Sequence, residues 1–242
     1  MSAAGSSTAA SPYADTRDMY TVHAMFRREF ALLPGLVRSV PPKDADRAQV
    51  VAGHIELVNL MLHHHHHSAE DAVPWPRLIA RAPKEIDPVV HLAEGHHQGI
   101  EVLLAETADR LKTWTDGAAS DDREALARTL QRLAVALYEH MALEEKLILP
   151  LVERHIFAVE WEEMVGHAAA GIPQEIGPVV AGMVMYEGGL HAVPEQLRTV
   201  LAEVAPGAYA AHCERVHGTP APPRATDVII GTPFVGVEPA PM

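Results

Sequence analysis

A buried apolar stripe interrupted by an imidazole and a carboxylate constrains this chain more than any other feature. Leu126, Leu130, Leu133, Leu137, His140, Glu144, Leu147 and Leu151 follow one another at alternating steps of four and three, the spacing of a helix seam packed inside a bundle. Every position of such a seam should be oily. An unpartnered polar group there costs roughly several kcal/mol, and a bare charge costs more. A metal ion is the economical way to compensate both groups at once; the bland alternative is a self-sufficient hydrogen-bonded pair.

The same pattern recurs upstream. From about Asp15, Met19, His23, Phe26, Phe30, Leu33 and Val37 repeat the four–three spacing and predict a helix that Pro41 and Pro42 stop. A second helix is expected from a cap at Asp44 or Asp46, through Val51, Ile55, Val58 and Leu62 into the run His63 to His67. Continuing its face brings His66 and Glu70 to the core side, with His64 and His65 turned to solvent and Pro74 and Pro76 closing the helix. After a loop over 81–88, a third helix carries Ala93, His97, Ile100 and Leu104 on one face. A turn around Gly117 leads into the fourth, which runs to about His155.

Beyond it, short helices are expected over 161–170, after Pro173, over 194–204 and over 209–216, punctuated by Gly and Pro. The resulting division is a polar, aperiodic segment over 1–14, expected to be disordered, a helical bundle over 15–157, a helical annex over 158–217 and a Pro-rich tail over 218–242. A chain of 242 residues suits one large domain with such an annex.

Four helices thus offer, in order, His23; His66 with Glu70; His97; and His140 with Glu144. An i, i+4 pair lies about 40° apart around a helix and one turn apart along it, so both members reach the bundle axis. Two carboxylates suit a dinuclear centre, because each can bridge two cations and offset their repulsion. Mixed nitrogen and oxygen ligands fit iron best, with manganese or zinc as lesser alternatives. His63, His67, Glu94 and His96 are further candidates, as additional ligands or as groups that hold the ligands from behind. For the histidine run, the competing reading is a solvated tract or a purification tag, which its internal position leading into an acidic pair disfavours.

Composition excludes some partners. Only 19 Lys plus Arg stand against 32 Asp plus Glu, a net charge of −13 that argues against nucleic acid and anionic membrane surfaces. The lone Cys213 rules out an intramolecular disulfide and fits a reducing compartment. The first residues lack the basic and apolar regions of a signal peptide, and no apolar run approaches the ~18 residues of a membrane span. A cytoplasmic location is therefore expected.

The elements H-x-x-F-R-R-E-F at His23, H-H-S-A-E-D followed by W-P-R-L, G-H-H-Q-G-I around His97 and H-M-A-L-E-E-K-L-I-L-P-L at His140 resemble the hemerythrin-like, or HHE cation-binding, proteins over residues 17 to 155. The segment ending in PGAYAAHCERVHGT looks like the extension carried by actinobacterial members. The resemblance implies an all-α fold, an antiparallel four-helix bundle with additional short C-terminal helices. It also implies two iron ions, oxo- or hydroxo-bridged, with His23 and His66 on one iron, Glu70 and Glu144 bridging, and His97 and His140 on the other. Dioxygen, peroxide or another small diatomic ligand would bind there, for sensing, carriage or catalase-like or oxidase chemistry. The alternatives are an iron-storage or redox-sensing module without turnover, and a di-iron oxygenase acting on an organic substrate. The chain departs from the oxygen-carrying members at Ala93, where those have a second histidine. Either Glu94 or a neighbouring histidine substitutes, or one iron keeps an open position that would favour peroxide chemistry.

Overall fold

The computed structural model describes residues 11–66, 74–191 and 193–223. Expectations for residues 1–10, for His67 and Glu70, and for the tail beyond 223 lie outside the described residues. The described chain forms α1 (Arg17–Ser39), α2 (Ala45–His63), α3 (Pro74–Arg81), α4 (Pro83–Thr115), α5 (Ser120–Leu143), a π-helical turn over Glu144–Ile148, α6 (Leu149–His155), α7 (Ala158–Ala170), α8 (Gly177–Met185) and α9 (Glu195–His217). Among the described residues a single bridge, Tyr13 with Phe157, is the nearest thing to a strand, and no helix is long and apolar enough to cross a membrane.

Helices α1, α5, α4 and α2 pack in that order around a ring that closes where α2 meets α1. Short connections between α1 and α2, and between α4 and α5, return the chain antiparallel to itself. The boundaries follow local chemistry. Asp44 caps α2, its side chain accepting from the Arg47 backbone N–H at 3.0 Å. The turn into α5 is tied to the start of α2 by the Lys43 N–H donating to the Ala118 carbonyl at 3.1 Å.

Several proline-based expectations are corrected. Pro74 and Pro76 open a helix, α3, rather than ending one, and the loop expected over 81–88 is instead the start of α4 at Pro83. Proline is compatible with a helix's first turn, where its missing N–H would have had no partner. The two short helices expected over 194–216 are one continuous α9 with Pro206 inside it, ended by Gly218 at φ 76°.

Two apolar clusters form the interior. One includes Phe26, Phe30, Leu62, Ile100, Leu137 and Met141 and extends to α8 and α9. The other includes Met19, Trp75, Ala93, Ile148 and Trp161. On α1, α4 and the α5–π-turn segment the boundary between them falls at the polar seam positions: His23 between Met19 and Phe26, His97 between Ala93 and Ile100, Glu144 between Met141 and Ile148. The polar side chains therefore sit in a layer enclosed by oil above and below, where fixed charges interact more strongly than in water.

Candidate metal centre

Two sets of side chains bring potential ligand atoms within 4.8 Å of one another in this layer: His66 with His97 and His140, and His23 with His65 and Glu144. In the first, the His97 and His140 Nε2 atoms face each other at 3.2 Å, and the His66 ring lies 4.7 Å from His97 and 4.8 Å from His140. In the second, Glu144 Oε2 lies 3.3 Å from His23 Nε2. The same oxygen lies 3.6 Å from His140 Nε2, so Glu144 stands between the two sets.

Several of the buried atoms left without a hydrogen-bond partner lie in these sets: His23 Nε2, His66 Nε2, His140 Nδ1 and Glu144 Oε2. The 3.3 Å approach of His23 to Glu144 lacks hydrogen-bond alignment. Such a concentration of unsatisfied polar atoms in one dry layer is destabilising on its own terms, and cations between the two sets would compensate it.

The other face of His23 shows how the ring is held. Its Nδ1 lies 2.9 Å from Glu145 Oε1, which also accepts from Arg27 at 2.7 Å. A proton on Nδ1, donated to that carboxylate, leaves the Nε2 lone pair pointing inward, the tautomer a ligand requires. Burial tends to raise the Glu145 pKa, but the bonds from His23 and Arg27 prevail and bring it to about 2. Burial depresses His23, yet the Glu144 and Glu145 contacts outweigh it and leave its pKa raised. Burial holds His140 neutral, its pKa lowered to about 4, and His65 likewise, lowered to about 3 with the His23 charge adding to the effect. Burial disfavours the Glu144 carboxylate, but His140 and His23 keep it ionised, below the usual range.

Two π-wound turns explain why consecutive residues enter the site. Residues 64–66 are wound as a π turn, as is Glu144–Ile148, where the Leu149 N–H donates to the Glu144 carbonyl five residues back. A π turn inserts one extra residue and advances the phase of everything after it. Accordingly Leu147, placed in the seam by α-helical counting, is 39% exposed, and Ile148 is buried in its stead. Pro150, which lacks an N–H, sits where the ladder returns to α-helical register, tolerating the mismatch.

The same effect corrects the expectation that His65 faces solvent: its Nε2 is shut off from water and its ring stands 5.5 Å from that of His23. The remaining candidates separate clearly. Glu94 is exposed and pairs with His91 at 3.5 Å, because it lies about 100° around α4 from the buried Ala93. His63 is exposed. His96 is half-buried, its ring 6.0 Å from His140. His167 and His191, in the segment beyond the bundle, are exposed. His66 lies with His97 and His140 rather than in the set of His23, with which it was expected to share an ion.

Residues 14–152 match the family model described as hemerythrin HHE cation binding domain. The chain belongs to the hemerythrin HHE cation-binding family. Searches of curated proteins and of solved structures returned no match. The family match spans α1 through most of α6, the elements that hold both histidine sets, and ends before α7. The hemerythrin domain of this chain is therefore the bundle, with α7, α8 and α9 packed beside it.

Proposed function

We propose that the two histidine sets hold a pair of iron ions bridged by Glu144, and that the centre binds dioxygen or peroxide. The observation that carries this reading is Glu144 Oε2, buried, without a hydrogen-bond partner, and between His23 Nε2 at 3.3 Å and His140 Nε2 at 3.6 Å. His66, His97 and His140 would hold one ion and His23 with His65 the other. Glu70 would be the second bridge. Iron in such surroundings supplies redox activity and exchangeable positions for oxygen-containing ligands.

With three imidazoles available to it, the His97–His140 side loses the open position inferred from Ala93. Among the described residues, the side with fewer candidate protein ligands is that of His23 and His65, and the small oxygen ligand would enter there. Glu145 and Arg27 fix His23 in register for this role, and the apolar clusters exclude competing water.

One observation favours a second reading, oxidation of an apolar organic molecule. A cavity of about 410 Å³, lined by Met19, Val22, Trp161, Met164 and Val184 among others, borders His65. It offers an apolar approach to the less crowded side, equally suited to a diatomic gas.

Aerobic purification followed by metal analysis should give about two irons per chain, with absorption bands that shift on adding azide or peroxide. His65→Ala should lose about half the iron, whereas His64→Ala, one residue away, should keep it. Rapid oxygen release from peroxide would mark a detoxifying enzyme; a stable, reversible oxygenated spectrum would mark a carrier or sensor. A protein that takes up no iron, or one whose iron is indifferent to Glu144→Ala, would end the proposal.

A further inference from the structure

A second polar cluster lies away from the histidine sets, where α9 crosses α1 and α2. We propose that Glu29, His54 and His217 form a separate mononuclear site for a borderline divalent cation of the zinc type, which fastens α9 to the bundle. One ligand atom from each lies within 4.8 Å of the other two. Glu29 belongs to α1, His54 to α2 and His217 to the last turn of α9, so the site spans the ring and the segment that follows the hemerythrin domain.

Its donor set suits that ion class: two imidazoles and a carboxylate, the three protein ligands of a four-coordinate ion. Glu29 is fully buried and His54 is 2% exposed. Glu29 Oε2 and His54 Nε2 lie 3.2 Å apart without hydrogen-bond alignment, and neither finds another partner. The two atoms thus face a common point without satisfying each other, the condition a cation resolves.

The surroundings orient both groups. His54 Nδ1 lies 3.0 Å from His212 Nε2, and donation from the former leaves the His54 Nε2 lone pair free. On the other oxygen of Glu29, Arg28 donates at 2.8 and 3.1 Å and Tyr209 at 3.3 Å. Arg28 also pairs with Glu187. The guanidinium groups of Arg28 and Arg47 stand against the carboxylates of Glu29 and Glu187, leaving a local charge near zero, so a divalent cation is not repelled on balance. Burial keeps both His212 and His217 neutral, with pKa values lowered to about 4.

A hydrogen-bonded relay from His212 through His54 to Glu29 would serve as a purely structural account, but it has no use for His217. Further bonds bring that residue in. Arg47 donates to the carbonyls of Arg215, at 2.6 Å, and Val216, and the Gly218 N–H donates to Glu214 as the helix ends. The last turn of α9 is thereby held with its histidine against the pair.

The test is zinc uptake by the full-length, iron-loaded protein, read by metal analysis after equilibrium dialysis alongside iron content and far-ultraviolet circular dichroism. The expected result is one zinc per chain beyond the iron, protecting α9 from proteolysis. His217→Gln should weaken this uptake at least tenfold with iron content and helicity unchanged, and His54→Gln should abolish it. Because His54 is buried and its variant risks misfolding, the half-buried His217 provides the deciding variant. Zinc uptake that is absent in the wild type, or unchanged in His217→Gln, would overturn the site.

Discussion

Among single residues, Glu145 carries a role that its position beside a candidate bridging carboxylate does not announce. It takes hydrogen bonds from His23 Nδ1 and Arg27 together, and so sets which face of the imidazole looks inward. Removing the carboxylate leaves every proposed ligand in place but frees the His23 ring to rotate and to change tautomer. Glu145→Ala is therefore expected to weaken iron binding about 10–100-fold, the usual cost of losing a group that backs a metal ligand. Chelator competition measures this; an unchanged affinity would show that packing alone holds His23. The seam positions His23, His66, His140 and Glu144 were readable from periodicity, because a buried stripe that turns polar contradicts its own hydrophobic pattern. His65 was not readable, since α-helical counting turns it away from His66. Nor were Glu29, His54 and His217, which come from three distant stretches and have no local spacing in common.

Among elements, departures from ideal helix geometry are what shape the centre. A straight α5 continued through residue 151 would bury Leu147; the π turn buries Ile148 instead. Composition hints at this only through Pro150, which disturbs a ladder that apolar spacing alone would extend unbroken. The proline-rich joints were legible as joints but not as helix starts, because the same residue ends one helix and suits the first turn of the next. Close approach of α8 and α9 depends on Gly182, where an added Cβ would lie 2.5 Å from Tyr209 Cβ and 2.6 Å from the Ala205 carbonyl oxygen. One of those obstacles is backbone, so the helices must separate to admit a methyl group. Gly182→Ala is expected to destabilise the protein by about 1–3 kcal/mol, the cost of overpacking. Denaturant unfolding checks it, and an unaltered midpoint would mean that the two helices have slack.

Across the whole molecule, buried histidines couple stability to pH. His65, His140, His212 and His217 have pKa values lowered to between about 3 and about 4 by burial, against 6.5 in an unfolded chain. Between those values the unfolded state binds more protons, so this stabilisation is complete above pH 6.5 and is lost as pH falls toward 4. Glu29 opposes burial through His54 and Arg28, and its pKa near 2 extends the loss below pH 4.5. His23, raised, acts in the opposite sense, its contribution being present below pH 6.5 and lost above its folded-state value. The melting temperature of metal-free protein should drop from pH 7 to pH 4.5 by at least the roughly 5–10 °C that one such histidine contributes, at about 2–4 °C per kcal/mol for a chain of this size. A flat profile would indicate that the histidines are solvated. Iron should raise stability at neutral pH and lose that effect on acidification, because protons compete for the same nitrogen atoms. The central claim is that the oily interior is organised around two cations that share Glu144. Anomalous diffraction at the iron edge from crystals of the aerobically purified protein tests it most directly. Two iron peaks should flank the Glu144 carboxylate, one against His66, His97 and His140 and the other against His23 and His65. A single peak, or none within reach of Glu144, would contradict it.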